Sequence, residues 1–305
     1  MISWVLASAI QASVPLILAA EAGLVSERSG VVNLALEGMM LSGAFASMIG
    51  ASVCGNVWLG LLCGVAVGAV LGLVHAYASV TWAADQIISA TGINVVAAGG
   101  TSFLLKVIFR HAGTSPAVPT IPKLFPVGIA QLPGVGPILM NMTVIDVFAL
   151  ALPFALLYFY QQTPMGLRVR SVGERPDAAE SVGIPVHRVR YVSVVASGAL
   201  AGLAGAYLVL DVLGFFQQDM SAGRGYLGLV AMIFGKWNPV GAFLAALFFG
   251  LADAVQIALQ LNLAAAIPKE AFLALPYVLA LLALAGFVGR AEAPEADGKP
   301  YVSQK

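Results

Sequence analysis

Residues 56–80 read NVWLGLLCGVAVGAVLGLVHAYASV, and they decide the fold. No Asp, Glu, Lys or Arg interrupts the stretch. A helix rising about 1.5 Å per residue needs about 20 apolar residues to cross the hydrocarbon core. Gly60, Gly64, Gly68 and Gly72 recur at four-residue spacing and so lie on one helix face. Lipid gives helices no hydrophobic reason to associate, so close backbone approach must hold them together. The glycine row predicts a neighbouring helix seated in the groove, within the same chain rather than across a dimer. Gly198, Gly202 and Gly205 repeat the pattern further on.

The rest of the chain agrees with that stretch. Of 305 residues, 60% are hydrophobic and 10% charged, with a mean hydropathy of +0.92. A soluble domain carries about 25% charged residues, so a soluble enzyme, a disordered chain and a disulfide scaffold are excluded. Fifteen Lys and Arg balance fifteen Asp and Glu, leaving no basic field for nucleic acid. Cys54 and Cys63 stand in apolar surroundings, and His75, His111 and His187 have no ligand spacing, so no metal site is expected.

Nine apolar stretches are candidate spans: 3–20, 31–50, 56–80, 86–109, 142–161, 191–213, 226–236, 239–262 and 271–289. They are too continuous for barrel strands, which alternate. The predicted fold is an all-α polytopic membrane protein, a bundle of about nine transmembrane helices, some short or broken. Residues 226–236 are too few to span and read as a half-helix. Asn33 and Glu37 mark 31–50 as a second candidate break. No Lys or Arg precedes Arg28, so the first stretch reads as a retained span, not a signal peptide.

Segment 162–190 holds Arg168, Arg170, Arg175, Arg188 and Arg190, the densest cationic run. The positive-inside rule puts it in the cytoplasm. With nine crossings, the 236–239 turn and the polar tail 290–305 also fall inside, and Met1 and segment 110–140 outside. Segment 110–140 contains Pro116, Pro119, Pro122, Pro126, Pro133 and Pro137, which forbid a helix and read as a connecting loop or an external docking surface. Residues 1–289 form one transmembrane domain.

Within 162–190 a short helix is punctuated clearly. Pro176 suits the first helical position, Asp177 the first turn, Gly183 a left-handed stop, and Pro185 blocks continuation. The spacing predicts a helix over 176–182, with Ala178, Ala179 and Val182 on one face and Asp177 and Glu180 away from it. Two turns do not persist alone in water, so this is a docking helix.

GERPDAAESVGI at 173–184 resembles the cytoplasmic coupling segment of ABC-importer permeases of the branched-chain amino acid/ribose superfamily, with Arg175 where Asn is common. EAGLVSERSGVVNLALEGMML at 21–41 is similar to the GLFSERAGVVNIGLEGMML signature of nucleoside-type permeases. GRGYLGLVAMIFGKWNP at 223–239 is similar to a third element of that group. The resemblance covers nearly the whole chain, apart from the tail after Gly289. It implies one of two related permease subunits in a bacterial-type inner membrane. A cytoplasmic ABC ATPase would grip Glu174, Arg175, Pro176, Asp177, Ala178, Ala179, Val182 and Gly183. An extracytoplasmic binding (lipo)protein would deliver a nucleoside or similar solute. ATP and Mg belong to the partner: no G-x-x-x-x-G-K-[ST] occurs here. G-x-S-x-G is absent too, and the chain reads as a transport subunit rather than an enzyme.

Polar groups inside hydrocarbon are costly and are functional candidates. Asn33, Glu37, Asn94, Asp253 and Gln256 are the candidate pathway residues, as donors and acceptors for a polar solute or as structural partners at broken helices. Asp146 and Asp211 lie near span ends. Other cargo in the same superfamily, a sugar or a branched-chain amino acid, is the alternative. An ion-coupled secondary carrier, with Glu37 and Asp253 as ion sites, is the rival of another class.

Overall fold

The computed structural model describes residues 2–110, 113–125, 136–263, 278 and 292–302. Their regular elements are all helical: α1 (Ile2–Glu27), α2 (Leu36–Cys54), α3 (Val57–Ala76), α4 (Gln86–Phe109), α5 (Gly136–Asn141), α6 (Val144–Gln162), α7 (Pro164–Glu174), α8 (Pro176–Ser181), α9 (Val186–Tyr207), α10 (Arg224–Phe234) and α11 (Pro239–Leu263). π-helical turns at Tyr77–Thr81 and Leu208–Leu213 prolong α3 and α9.

Among the described residues seven helices are long and apolar enough to span: Val5–Glu27, Leu36–Cys54, Val57–Thr81, Gln86–Phe109, Val144–Gln162, Val186–Leu213 and Pro239–Gln260. They match seven of the nine stretches. The seventh, 226–236, is the short α10, and the ninth, 271–289, lies outside the described residues apart from Val278.

Local chemistry sets the helix starts. The Asn56 side chain accepts the Trp58 N–H at 2.8 Å, and that of Asp85 accepts the Ile87 and Ile88 N–H groups at 2.9 and 3.0 Å. Asp146 takes the Thr143 N–H at 2.6 Å, closing a capping box on α6, and accepts the Tyr207 hydroxyl at 2.7 Å. It is buried by α9 rather than directed to the interface.

Several boundaries differ from the sequence reading. α9 starts at Val186 rather than 191. A short helix, α5, forms over Gly136–Asn141, at the end of the segment where the prolines were expected to forbid one, because Pro137 sits in its first turn, where a missing N–H costs nothing. α1 runs on from 20 to Glu27, because Glu21, which looks like a stop signal, is buried. α2 starts at Leu36, not 31. Residues 31–35 are non-helical, and other segments satisfy their backbone: Val32 N–H donates to Gln86 Oε1 at 2.7 Å, and Leu34 C=O accepts from Asn94 Nδ2 at 2.9 Å. Irregular backbone inside a bundle needs such partners.

The glycine row packs within the chain. A Cβ on Gly60 would lie 2.7 Å from Ser47 O, on Gly64 2.8 Å from Gly43 O, on Gly68 2.7 Å from Gly202 Cα, and on Gly72 2.7 Å from Val194 O. Helices α2, α3 and α9 therefore meet backbone to backbone, the geometry that dispersion demands in lipid.

Segments at the helix ends gather at two sides. At one, Arg28 Nε donates to Trp237 O at 2.8 Å, Trp237 Nε1 to Glu27 at 2.7 Å, and Ala296 N–H to Gly173 O at 2.9 Å. Segment 162–190, the 236–239 turn and the tail thus share a side, as the charge pattern expects. At the other end of α9, Ser115, Val118 and Ile121 N–H groups reach Phe216, Gly214 and Leu210 carbonyls at 2.8 Å, and Lys123 pairs with Asp211 at 2.7 Å. The described part of the proline-rich segment is fastened there.

Candidate functional site

At about 1.5 Å per residue, the 11 residues of α10 cover about 16 Å, near half of a hydrocarbon core of about 30 Å. Its C-terminal end lies beside Trp237, so its N-terminus ends near mid-depth. There the free N–H groups need an acceptor. Glu37, in the first turn of α2, supplies one: Oε1 accepts the Gly223 N–H at 2.8 Å, and Oε2 the Gly225 N–H at 2.7 Å. A carboxylate is also favoured at the positive end of the helix dipole. Only glycine fits at 225, where a Cβ would stand 2.6 Å from Glu37 Cα.

Asn94 completes the junction. Its Oδ1 accepts the Gly38 N–H at 2.8 Å, and its Nδ2 donates to Leu34 O and to the Tyr226 hydroxyl, each at 2.9 Å. One amide ties α4 to the unwound segment, to α2 and to α10. Arg224 approaches Asp253 of α11 at 3.9 Å, with both side chains about a third exposed. The Tyr226 ring is exposed. The arrangement gathers an amide, a phenol, a carboxylate and a guanidinium, and the partly exposed Arg224, Tyr226 and Asp253 can exchange hydrogen bonds with a polar solute.

The structure thus brings Glu37, Asn94 and Asp253 around residues 223–226. Asn33 is fully buried, donating to Ser197 Oγ at 2.9 Å and accepting the Ala35 N–H at 3.1 Å. Gln256 is buried one turn beyond Asp253. Arg224 and Tyr226 escaped the sequence reading as site residues. Their signal was adjacency to an apolar stretch too short to span. Glu21 was missed as well: it is buried in α1 with neither oxygen hydrogen-bonded among the described residues.

The helix of the basic segment forms as α8, one residue shorter than expected. Gly183 adopts φ +85°, its N–H bonds Glu180 O at 2.9 Å, and Ile184 N–H bonds Ala179 O at 3.0 Å, the left-handed stop the sequence predicts. The expected common face divides. Ala179 is buried in the chain's own core, whereas Asp177, Ala178 and Val182 are exposed, Val182 at 76%. Ala178 and Val182, four residues apart, stay together on the exposed side, while Ala179, about 100° round the helix, turns to the core. A second helix, α7, precedes it where the sequence reading named none. Its buried row Gly166, Val169, Val172 and Gly173 has helical spacing, but arginines between those residues mask it. Glu174 and Arg175 are exposed.

Comparison with known proteins shows the family. Residues 5–284 match the family described as branched-chain amino acid transport system / permease component. The chain is 42% identical to the guanosine ABC transporter permease protein NupQ of Bacillus subtilis (strain 168), over 95% of this chain and 94% of that one. It is 38% identical to the nucleoside ABC transporter permease protein NupC of Lactococcus lactis subsp. cremoris (strain MG1363), over 96% and 95%. The guanosine ABC transporter permease protein NupP of Bacillus subtilis (strain 168) is more distant, 24% identical over 77% of this chain and 69% of its own length. No solved structure matches. With its family model spanning nearly all the membrane helices, the chain belongs to the branched-chain amino acid transport system permease family and is an integral membrane protein.

Proposed function

We propose that this chain is one of two related permease subunits lining the pathway of an ATP-driven nucleoside importer in a bacterial-type inner membrane. The observation that carries the pathway is the interrupted α10, whose N-terminus meets Glu37, Asn94, Arg224, Tyr226 and Asp253 near mid-depth. Binding at discontinuous helices near the bilayer centre is a recurrent solution in transporters. Ribose hydroxyls and base-edge amides are ligands such groups can meet briefly and release.

The names of NupQ and NupC support nucleoside cargo. Bacillus subtilis carries both a near and a distant relative with guanosine names, which supports a second, more divergent permease beside this one. The arginines of 162–190 assign the α7–α8 side to the cytoplasm. A separate ATPase grips α8 through its exposed Asp177, Ala178 and Val182. Closure of the ATPases pushes α8, and rigid-body movement of the spans switches the pathway between the two sides. The binding protein docks on the opposite side, where 113–124 and 210–217 are bonded together. Hydrolysis belongs to the partner, and this subunit contributes passage and coupling.

Glu37 is already engaged by two backbone N–H groups, which disfavours an ion-coupled carrier using it as an ion site. The test is uptake in proteoliposomes. The complete complex should accumulate radiolabelled guanosine only with ATP and the binding protein. Uptake by this chain alone under a proton or sodium gradient would overturn the reading.

A further inference from the structure

Residues 292–302 read EAPEADGKPYV, a polar segment with two prolines and no regular structure beyond the turn at 295–298. Such a segment has no reason to order by itself. Yet Ala296 and Tyr301 are buried. The segment is held by α7, Arg175 and α8, the proposed coupling lever. Ala296 N–H donates to Gly173 O at 2.9 Å, and Glu295 N–H to Glu174 Oε2 at 3.3 Å. Arg175 Nε pairs with Glu295 at 3.4 Å, and the Tyr301 hydroxyl donates to Glu180 Oε2 at 2.7 Å.

Its inner side rests on α9. Arg190 is almost fully buried, with its guanidinium 5.6 Å from the Tyr301 ring centroid and Nη1 donating to Lys299 O at 3.4 Å. The six-residue α8 is too short to be rigid alone. It touches its own core through Ala179 and is flanked by the tail through Glu180. A push on its exposed face has two routes into the membrane: through Ala179, or through Tyr301 onto Arg190 and the long α9.

We infer that the C-terminal segment 293–301 is a working part of the coupling lever, with Tyr301 the positioning residue that braces α8 against α9. This rests on the coupling reading above. The segment converts a flexible loop into a braced one, so motor displacement reaches the spans instead of being absorbed. The exposed Arg175–Glu295 pair adds little, since exposed pairs are weak. The buried Tyr301 and Ala296 contacts carry the brace.

The experiment uses the complete importer with its ATPase and binding protein, in proteoliposomes, measuring guanosine uptake and ATP hydrolysis on the same sample. A chain ending at Glu292 and the variants Tyr301→Phe, Glu180→Leu and Glu180→Gln are compared. Each carries Ala178→Cys for crosslinking to the ATPase. The truncated chain should assemble and crosslink normally and hydrolyse ATP, with guanosine moved per ATP falling about tenfold, a common size of coupling. Tyr301→Phe and Glu180→Leu should lose several-fold, and Glu180→Gln, which keeps an acceptor, should recover most of it. An unchanged ratio in the truncated chain, with crosslinking intact, overturns the brace alone. Failure of both the truncated chain and Tyr301→Phe to assemble also overturns it, because the segment would then be merely structural. Absence of the Ala178 crosslink in the otherwise unaltered chain overturns the coupling reading itself.

Discussion

Glu37 and Gly225 are joined across 188 positions of sequence by a 2.7 Å hydrogen bond from backbone N–H to carboxylate. The bond caps the start of a helix too short to span, whose first N–H groups have no acceptor within the helix. Glu37→Ala would strand the Gly223 and Gly225 N–H groups at about 1–3 kcal/mol each, and nucleoside uptake should fall about tenfold or more. Glu37→Gln retains one acceptor and should lose less. Gly225→Ala, with its Cβ driven against Glu37 Cα, should resemble Glu37→Ala. Uptake normalised to chain abundance in membranes is the measurement, and equal uptake by all three would remove the junction from the pathway.

Asn94 makes three bonds with one amide. Asn94→Leu keeps the branching at Cγ and removes all of them, so uptake should be abolished while the chain still inserts. Tyr226→Phe removes a single bond, worth about 0.5–1.5 kcal/mol, and should lower uptake by a smaller factor. If Tyr226→Phe proves the more damaging of the two, the phenol contacts cargo rather than merely supporting Asn94.

Much of this was legible in the sequence, and the exceptions have physical causes. The long spans followed from apolar length alone, and the Gly60–Gly72 row announced its own packing, because in lipid, without a hydrophobic drive, apolar helix faces associate through close backbone approach. Pro176 and Gly183 located α8 because caps act locally. The Glu37–Gly223–Gly225 junction was not legible as a bond, because its partners are brought together only by tertiary structure. Arg224 and Tyr226 belonged to a recognised motif but had no visible role until α10 was seen to stop at mid-depth. α7 was hidden by the arginines between its buried positions, and the first span was ended at 20, before Glu21, because a carboxylate there gives no sign that neighbouring helices bury it.

The glycine contacts predict stability rather than transport. Gly68→Leu must separate α3 from α9 at Gly198 and Gly202, and should cost about 3 kcal/mol or more. Gly99→Leu, whose Cβ meets open space, should leave melting of the detergent-solubilised chain within about 0.5 kcal/mol of the unaltered protein. Equal melting of the two variants would contradict backbone contact between α3 and α9.

The split face of α8 separates folding from coupling. Ala179→Asp places a charge in the core and should reduce chain abundance. Val182→Asp changes an exposed side chain and should leave abundance unchanged while ATPase co-purification falls about tenfold, as when an interface hot spot is lost. Gly183→Val forces a β-branched residue to φ +85°, a strain of about 1–2 kcal/mol confined to the lever.

Asp297 gives the tail a pH dependence whose sign can be worked out. Burial raises its carboxyl to about 7, opposed by hydrogen bonds with Glu27 and the Gly298 N–H and by the charge of Arg190. These three, from α1, the tail itself and α9, face the group. When the tail is undocked, Asp297 returns to an ordinary carboxylate value near 3.8. Between those values the docked state binds more protons than the undocked one, so docking weakens as pH rises through about 7. Proteolytic cleavage of the tail should therefore be slower at pH 6 than at pH 8 in the solubilised protein. Asp297→Asn cannot ionise and should flatten the dependence, with protection retained at pH 8. A tail cleaved equally at both pH values in the unaltered chain would show that Asp297 does not hold its proton when docked.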